Sequence, residues 1–227
     1  MTKSTLNINE HPVPDHRRKF QLDRIIFFSD AIFAIAITIL ILEIKIPELP
    51  RETVTNAQFN ESLNELIPKF AGFIISFFII GLYWTKHHTL FGYVTDYNNK
   101  LIWLNLLFLL SIVTMPFTTG FYSEYIMHLQ KTPFMLYVGN IIACGGLLAV
   151  MLLYVKNPKR NLSSGLDHNI AYEYFLARSI VIPVMFILLA VMYLISPHLS
   201  LYAPALIPLT IVPVTKYYKR KSARSQV

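Results

Sequence analysis

The chain has 227 residues, of which 54% are hydrophobic and only 15% charged, with a mean hydropathy of +0.48 and a net charge of +7. Soluble domains carry about 25% charged residues, so this composition excludes an ordinary water-soluble fold. The apolar residues lie in long runs, and about 20 such residues make a helix able to cross a hydrocarbon core about 30 Å thick.

Residues 1–24 are polar and basic, lack the short apolar stretch of a signal peptide, and read as a cytoplasmic tail. Six apolar runs follow: Ile25–Ile46, Pro68–Leu90, Leu101–Phe121, Phe134–Val155, Tyr172–Ser196 and Leu199–Thr215. The last contains Pro204, Pro208 and Pro213, which withhold backbone donors and break a helix unless its neighbours support it. Residues 25–215 therefore read as one transmembrane domain, and residues 216–227 as a basic cytoplasmic tail. The expected fold class is all-α: a multi-pass membrane protein with six transmembrane helices.

Orientation follows from Lys and Arg, which are retained on the cytoplasmic side of the spans they flank. Lys3, Arg17, Arg18, Lys19 and Arg24 precede the first run, Lys86 and Lys100 flank the second loop, and Lys156, Lys159 and Arg160 flank the fourth. Lys216, Lys219, Arg220, Lys221 and Arg224 follow the last run. The opposite side holds only Lys45, Arg51, Lys69 and Lys131 among several acids. Both termini are thus expected inside a cell membrane, which requires an even number of spans. This topology also accounts for the positive charge, so no nucleic-acid partner is needed.

Catalytic and metal chemistry have little support. The single cysteine, Cys144, permits no internal disulfide. His87 and His88 are adjacent and point about 100° apart on a helix, no Cys/His metal spacing occurs, and no G-x-S-x-G or phosphate loop is present. Neither catalytic nor metal residues are expected, and no cofactor. Pro183 predicts a kink in the fifth run, while Gly139-x-x-x-Ala143 and Gly145-Gly146 predict close helix approach in the fourth.

The first run holds Asp30 within an otherwise apolar stretch. A carboxylate at the bilayer centre costs roughly 2.5 to 3.5 kcal/mol on insertion scales, so it needs a partner and marks function. Arg24 is six residues away, about 120° around the helix, outside the i, i+3 and i, i+4 geometries that let side chains meet. Trp84, His87, His88 and Asn105 sit at the matching depth of the second and third runs and can donate to Asp30. The same helical arithmetic places Phe28, Ala31, Ile35, Thr38, Ile39, Leu42 and Ile46 on one stripe, with Ser29 and Asp30 off it. Such a stripe is ordinarily packing, but apolar rings also narrow ion pores.

Arg24-Ile25-Ile26-Phe27-Phe28-Ser29-Asp30 resembles the R-x-x-x-F-S-D signature of the transmembrane protein 175 family of potassium channels, in its single-repeat prokaryotic form. Trp84-x-x-His87-His88 and Asn105 resemble that family's second and third spans. The resemblance implies a homotetrameric channel for potassium and other monovalent cations in the lipid bilayer, lacking a carbonyl selectivity filter. It implies that Ile35, Thr38, Ile39 and Leu42 line the pore and form its aliphatic constriction. Arg24, Phe28, Ser29 and Asp30 would belong to a structural network supported by Trp84, His87, His88 and Asn105. Gly92-Tyr93-Val94 reads as a chance fragment of a filter motif. A secondary transporter or proton pathway using Asp30 is the alternative, and a non-conducting scaffold a third class.

Overall fold

A computed structural model of the chain describes residues 15–49, 54–166, 170–200 and 216. These form α1 (Asp15–Leu42), α2 (Asn56–Phe91), α3 (Asn99–Val113), α4 (Met115–Tyr125), α5 (Lys131–Lys156), α6 (Ile170–Ile195) and a short α7 (Pro197–Ser200). Single 3₁₀ turns follow α4 and α5. The sixth predicted run, Leu199–Thr215, lies outside the described residues except for its first two positions. Among the described residues, four stretches are long and apolar enough to span a membrane, and the first of them is Arg17–Leu42.

Each start has a local cause. Thr55 opens α2 with a reciprocal capping box: its hydroxyl accepts from the Gln58 N–H, and the Gln58 side chain accepts from the Thr55 N–H. Asn98 opens α3 by accepting from the Leu101 N–H at 2.9 Å. With 36 residues, α2 is about 54 Å long at 1.5 Å per residue. It begins three turns before the expected Pro68 boundary, because polar residues 56–66 remain helical beyond the apolar depth.

The third predicted run is not one helix. It breaks at Thr114, with Pro116 in the first turn of α4. Proline has no N–H to offer the carbonyl four residues back, so the ladder loses one bond at this point. By contrast, α6 continues through Pro183 as a single helix.

The core lies between α1, α2, α3 and α5, where Phe33, Ile80, Tyr83, Phe108, Ile112, Ile141 and Leu148 are all buried. The Tyr83 hydroxyl donates to the Ile141 carbonyl at 3.0 Å, tying α2 to α5. Gly145 brings α5 against α6: a Cβ there would stand 2.1 Å from Pro183 Cγ. Among the described residues nothing lies within 4 Å of a Cβ on Gly139 or Gly146, so there only Gly145 makes the expected close approach.

At one end, the loop after α2 meets the loop after α5. The Thr95 N–H donates to the Leu162 carbonyl at 2.9 Å and the Ser164 N–H to the Tyr93 carbonyl at 3.1 Å. Gly92-Tyr93-Val94 thus belongs to a loop pairing. Arg18 joins this end by pairing with Asp96 at 2.9 Å. At the other end, Lys69 meets Glu124 at 2.7 Å and the Tyr193 hydroxyl donates to the Leu129 carbonyl. Loops that the basic residues assign to one side therefore sit together in space.

Candidate functional site on the first helix

One side of α1 is committed to the protomer. Leu22, Ser29, Phe33, Ala36 and Leu40 are buried, at spacings of seven, four, three and four that align them on one helical face. Phe33 packs at 5.6 Å from the His87 ring and 5.9 Å from Phe108. This face holds α1 against α2 and α3.

The opposite side has no partner among the described residues of the protomer. Ile35 is 56% and Leu42 73% exposed, and Phe28, Ala31, Thr38, Ile39 and Ile46 are exposed with them. As far as Leu42 this is the stripe expected from the helical arithmetic; Ile46 lies beyond the end of α1, where helical periodicity no longer applies. Thr38 spends its proton on the Ile35 carbonyl at 2.9 Å, the local back-bond that helical threonines commonly form. Its oxygen keeps lone pairs toward the exposed side.

Beside this stripe the signature residues divide into two networks. Ser29 donates to the Ile25 carbonyl at 2.8 Å and accepts from Asn105 Nδ2 at 2.9 Å. Asn105 Oδ1 lies 2.9 Å from His87 Nε2. Because the Asn105 amide donates to Ser29, its oxygen must accept, which places the His87 proton on Nε2. All three side chains are buried, with exposures of 0% for Ser29, 0% for His87 and 2% for Asn105. Phe108 stacks on His87 at 5.6 Å and Phe91 at 4.4 Å, and His87 Nδ1 has no hydrogen-bond partner among the described residues.

The second network is simpler. Asp30 Oδ1 accepts from the Trp84 indole N–H at 2.9 Å, and the Trp84 ring lies 5.7 Å from that of His88. Of the four candidate partners for Asp30, only Trp84 hydrogen-bonds to it. His87 and Asn105 serve Ser29 instead, and His88 contacts the indole. Arg24 turns to Gln21 at 3.5 Å, consistent with the angular argument against a pair with Asp30 within α1.

The sequence reading missed the aromatic casing of His87. Phe91 lies four residues beyond it and was readable as a same-face neighbour, whereas Phe33 and Phe108 come from other helices. It also missed the α3–α4 break, although Pro116 signalled it.

Comparison with known proteins bears on this same region. Residues 24–116 match the family model described as the endosomal/lysosomal potassium channel TMEM175. Over these residues the chain is similar to the TMEM175 family. The match runs from Arg24 of the signature to Pro116 at the break, and includes the exposed stripe and both networks. Among relatives, a protein from Streptomyces collinus named as a potassium channel is 38% identical over 103 residues, covering 45% of this chain and 48% of that protein. Another from Chamaesiphon minutus, also named as a potassium channel, is 36% identical over 131 residues, covering 58% and 61%. The endosomal/lysosomal proton channel TMEM175 of Gallus gallus is 36% identical over 107 residues, covering 45% of this chain and 21% of that one. The chain thus spans about half the length of the first relative and 61% of the second.

The fold of the chain is also found among solved structures. The crystal structure of a lysosomal potassium-selective channel TMEM175 homolog from Chamaesiphon minutus aligns with a TM-score of 0.69 at 25% identity, covering 89% of this chain and 98% of that one. A variant of the potassium channel MtTMEM175, in complex with a nanobody–MBP fusion protein, aligns at 0.58 and 21% identity. The latter speaks to the fold alone.

Proposed function

We propose that this chain is a potassium-permeable cation channel that assembles as a homotetramer, with α1 of each subunit lining the pore. The observation that carries the reading is the aliphatic face of α1 from Phe28 to Leu42, which has no partner among the described residues and lies opposite a packed face. One protomer contributes one such face, and several must converge to enclose a passage. Ile35, Thr38, Ile39 and Leu42 then form the constriction. Arg24, Phe28, Ser29 and Asp30, with Trp84, His87, His88 and Asn105, hold α1 at its place around it. Apolar rings regulate conduction by radius and wetting and need no carbonyl filter. The family model that matches residues 24–116 covers this face, and the chain has relatives named as potassium channels.

Residues 25–215 form the membrane domain in this reading, flanked by cytoplasmic tails at 1–24 and 216–227. Both tails and the paired loops near Tyr93 and Leu162 face the cytoplasm, and the protein resides in the cell membrane. The second reading is a proton pathway, favoured by the names of the vertebrate relatives. Asp30 would serve it poorly as an exchangeable site, since its carboxylate is engaged by Trp84 and lies off the stripe.

The deciding experiment is potassium flux from liposomes containing the purified protein, with its oligomeric mass measured in the same preparation. A channel gives discrete single-channel currents from a tetramer. Saturable, coupled flux, or no flux from well-assembled protein, overturns the reading.

A further inference from the structure

Beside its packing on α2, α1 is held by α3 in its amino-terminal half and by α4 at its carboxy-terminal end. Asn105 of α3 holds the amino-terminal half through Ser29. The carboxy-terminal end rests on α4, where the Glu43 side chain lies across Gly120, its Oε2 2.7 Å from where a Cβ would stand. The angle between α3 and α4 therefore couples the position of Leu42 to that of Ser29. Between those helices lies the break at Thr114, where Pro116 supplies no N–H to the Ile112 carbonyl. The Thr114 and Thr118 N–H groups still donate to the Leu110 and Thr114 carbonyls at 3.1 Å, and a side chain adds a further restraint on this joint.

One side chain from α5 spans it. Asn140 Oδ1 accepts from the Thr114 hydroxyl at 3.0 Å, on the last residue before the break. Its amide nitrogen donates to Thr118 Oγ1 at 3.2 Å and lies 3.9 Å from Met115 Sδ, both in the first turn of α4. Asn140 thus spends its polar atoms on both sides of one joint, in the middle of a helix that is otherwise apolar over several turns. An unbonded amide there would be costly, and its bonds are used to fix an angle.

We propose that Asn140 is a positioning residue for conduction: it latches the α3–α4 joint and through α4 sets the width of the passage at Leu42. The inference rests on the reading that α1 lines the pore. Without Asn140, the Thr114 hydroxyl falls back on the carbonyls of Ser111, at 3.0 Å, and Leu110, at 3.2 Å. The helix ends stay satisfied, and what is lost is the hold of α3 on α4.

The test compares Asn140→Ala, the double variant Thr114→Val with Thr118→Val, and the triple combination, each as purified full-length protein in liposomes. Single-channel conductance and potassium-to-sodium permeability ratio are read beside oligomeric mass and thermal midpoint. The latch predicts that Asn140→Ala changes conductance or permeability ratio by roughly two- to thirtyfold with the mass unchanged. The double variant should reproduce the change, and the triple should add nothing, because all three groups belong to one joint. If Asn140→Ala does not fold, the double variant carries the test alone. Gly139→Ala, one position away, where a Cβ meets nothing within 4 Å among the described residues, should conduct like the parent. The proposal is overturned if Asn140→Ala lowers only the thermal midpoint while conduction per oligomer stays unchanged. Leu42→Ala run in parallel separates the two failures: an effect there without one at Asn140 removes the latch, and no effect at either removes the pore reading as well.

Discussion

Ser29 and Asp30 are consecutive in the chain but bind different helices: Ser29 accepts from Asn105 of α3, and Asp30 accepts from Trp84 of α2. Successive helical positions point about 100° apart, so two adjacent polar residues fasten α1 to two neighbours at one depth. The aliphatic stripe is what remains of the helix surface. A packed side and an unpartnered side are thus produced by the same three-residue sequence, Phe28-Ser29-Asp30.

Removing the acceptor at Asp30 should mainly harm assembly. Asp30→Ala removes the acceptor of the Trp84 N–H and with it the polar tie between α1 and α2. Asp30→Asn keeps a side-chain oxygen at the same place and should retain most of the yield. Size-exclusion profiles of detergent-extracted protein distinguish the two. Trp84→Phe should resemble Asp30→Ala in direction but be milder, since a partly exposed carboxylate can take up water. An Asp30→Ala protein that assembles normally but has altered ion selectivity would place the carboxylate in the conduction path.

The three-membered chain through Ser29, Asn105 and His87 is fully buried, so its middle member matters most. Asn105→Leu removes partners from both Ser29 and His87, while Ser29→Ala removes one. Hydrogen bonds between membrane helices average about 0.6 kcal/mol and reach about 1.7. Ser29→Ala should therefore cost about that much, and Asn105→Leu about twice as much, in thermal unfolding of the solubilised protein. Equal losses for the two variants would mean that the His87 bond contributes nothing.

Much of this arrangement was legible in the sequence, and the exceptions have physical causes. Periodicity identified both faces of α1, because burial on a helix repeats with its geometry. Depth matching placed Trp84 among four candidates for Asp30 with His87, His88 and Asn105, but could not choose among them, since that choice depends on how α2 and α3 are rotated about their own axes. The extension of α2 back to Asn56 was hidden because hydropathy reports the membrane boundary, whereas a helix ends where its cap lies, here at Thr55. The joint at Thr114 was concealed by the continuous apolar character of residues around Pro116. What crosses that joint, Asn140, is 24 residues beyond Pro116 in sequence, and no local pattern connects them.

Pore-widening substitutions should separate lining from packing. Ile35→Ala and Leu42→Ala each remove side-chain volume from the exposed stripe and should raise potassium flux or weaken discrimination against sodium in liposomes. Leu107→Ala and Leu110→Ala, equally exposed positions on α3, should leave flux unchanged. A flux that responds to the α3 variants as strongly as to the α1 variants would place the passage elsewhere.

The adjacent glycines of α5 provide a contrast within one helical turn. A Cβ on Gly145 would stand 2.1 Å from Pro183 Cγ, 2.8 Å from Pro183 Cδ and 3.1 Å from the Tyr83 hydroxyl, whereas one on Gly146 meets nothing within 4 Å. A proline ring cannot swing aside as a flexible side chain can, so Gly145→Ala must push α6 away from α5 and strain the Tyr83 bond to the Ile141 carbonyl. Overpacking of this kind costs about 1 to 3 kcal/mol. Gly146→Ala instead gains up to about 1 kcal/mol of helix propensity and should unfold at an equal or higher temperature than the parent. If Gly146→Ala lowered the oligomeric mass while the protomer stayed folded, the open side of Gly146 would be a contact with another subunit; unchanged mass assigns it to lipid or to a part of the same chain beyond the described residues.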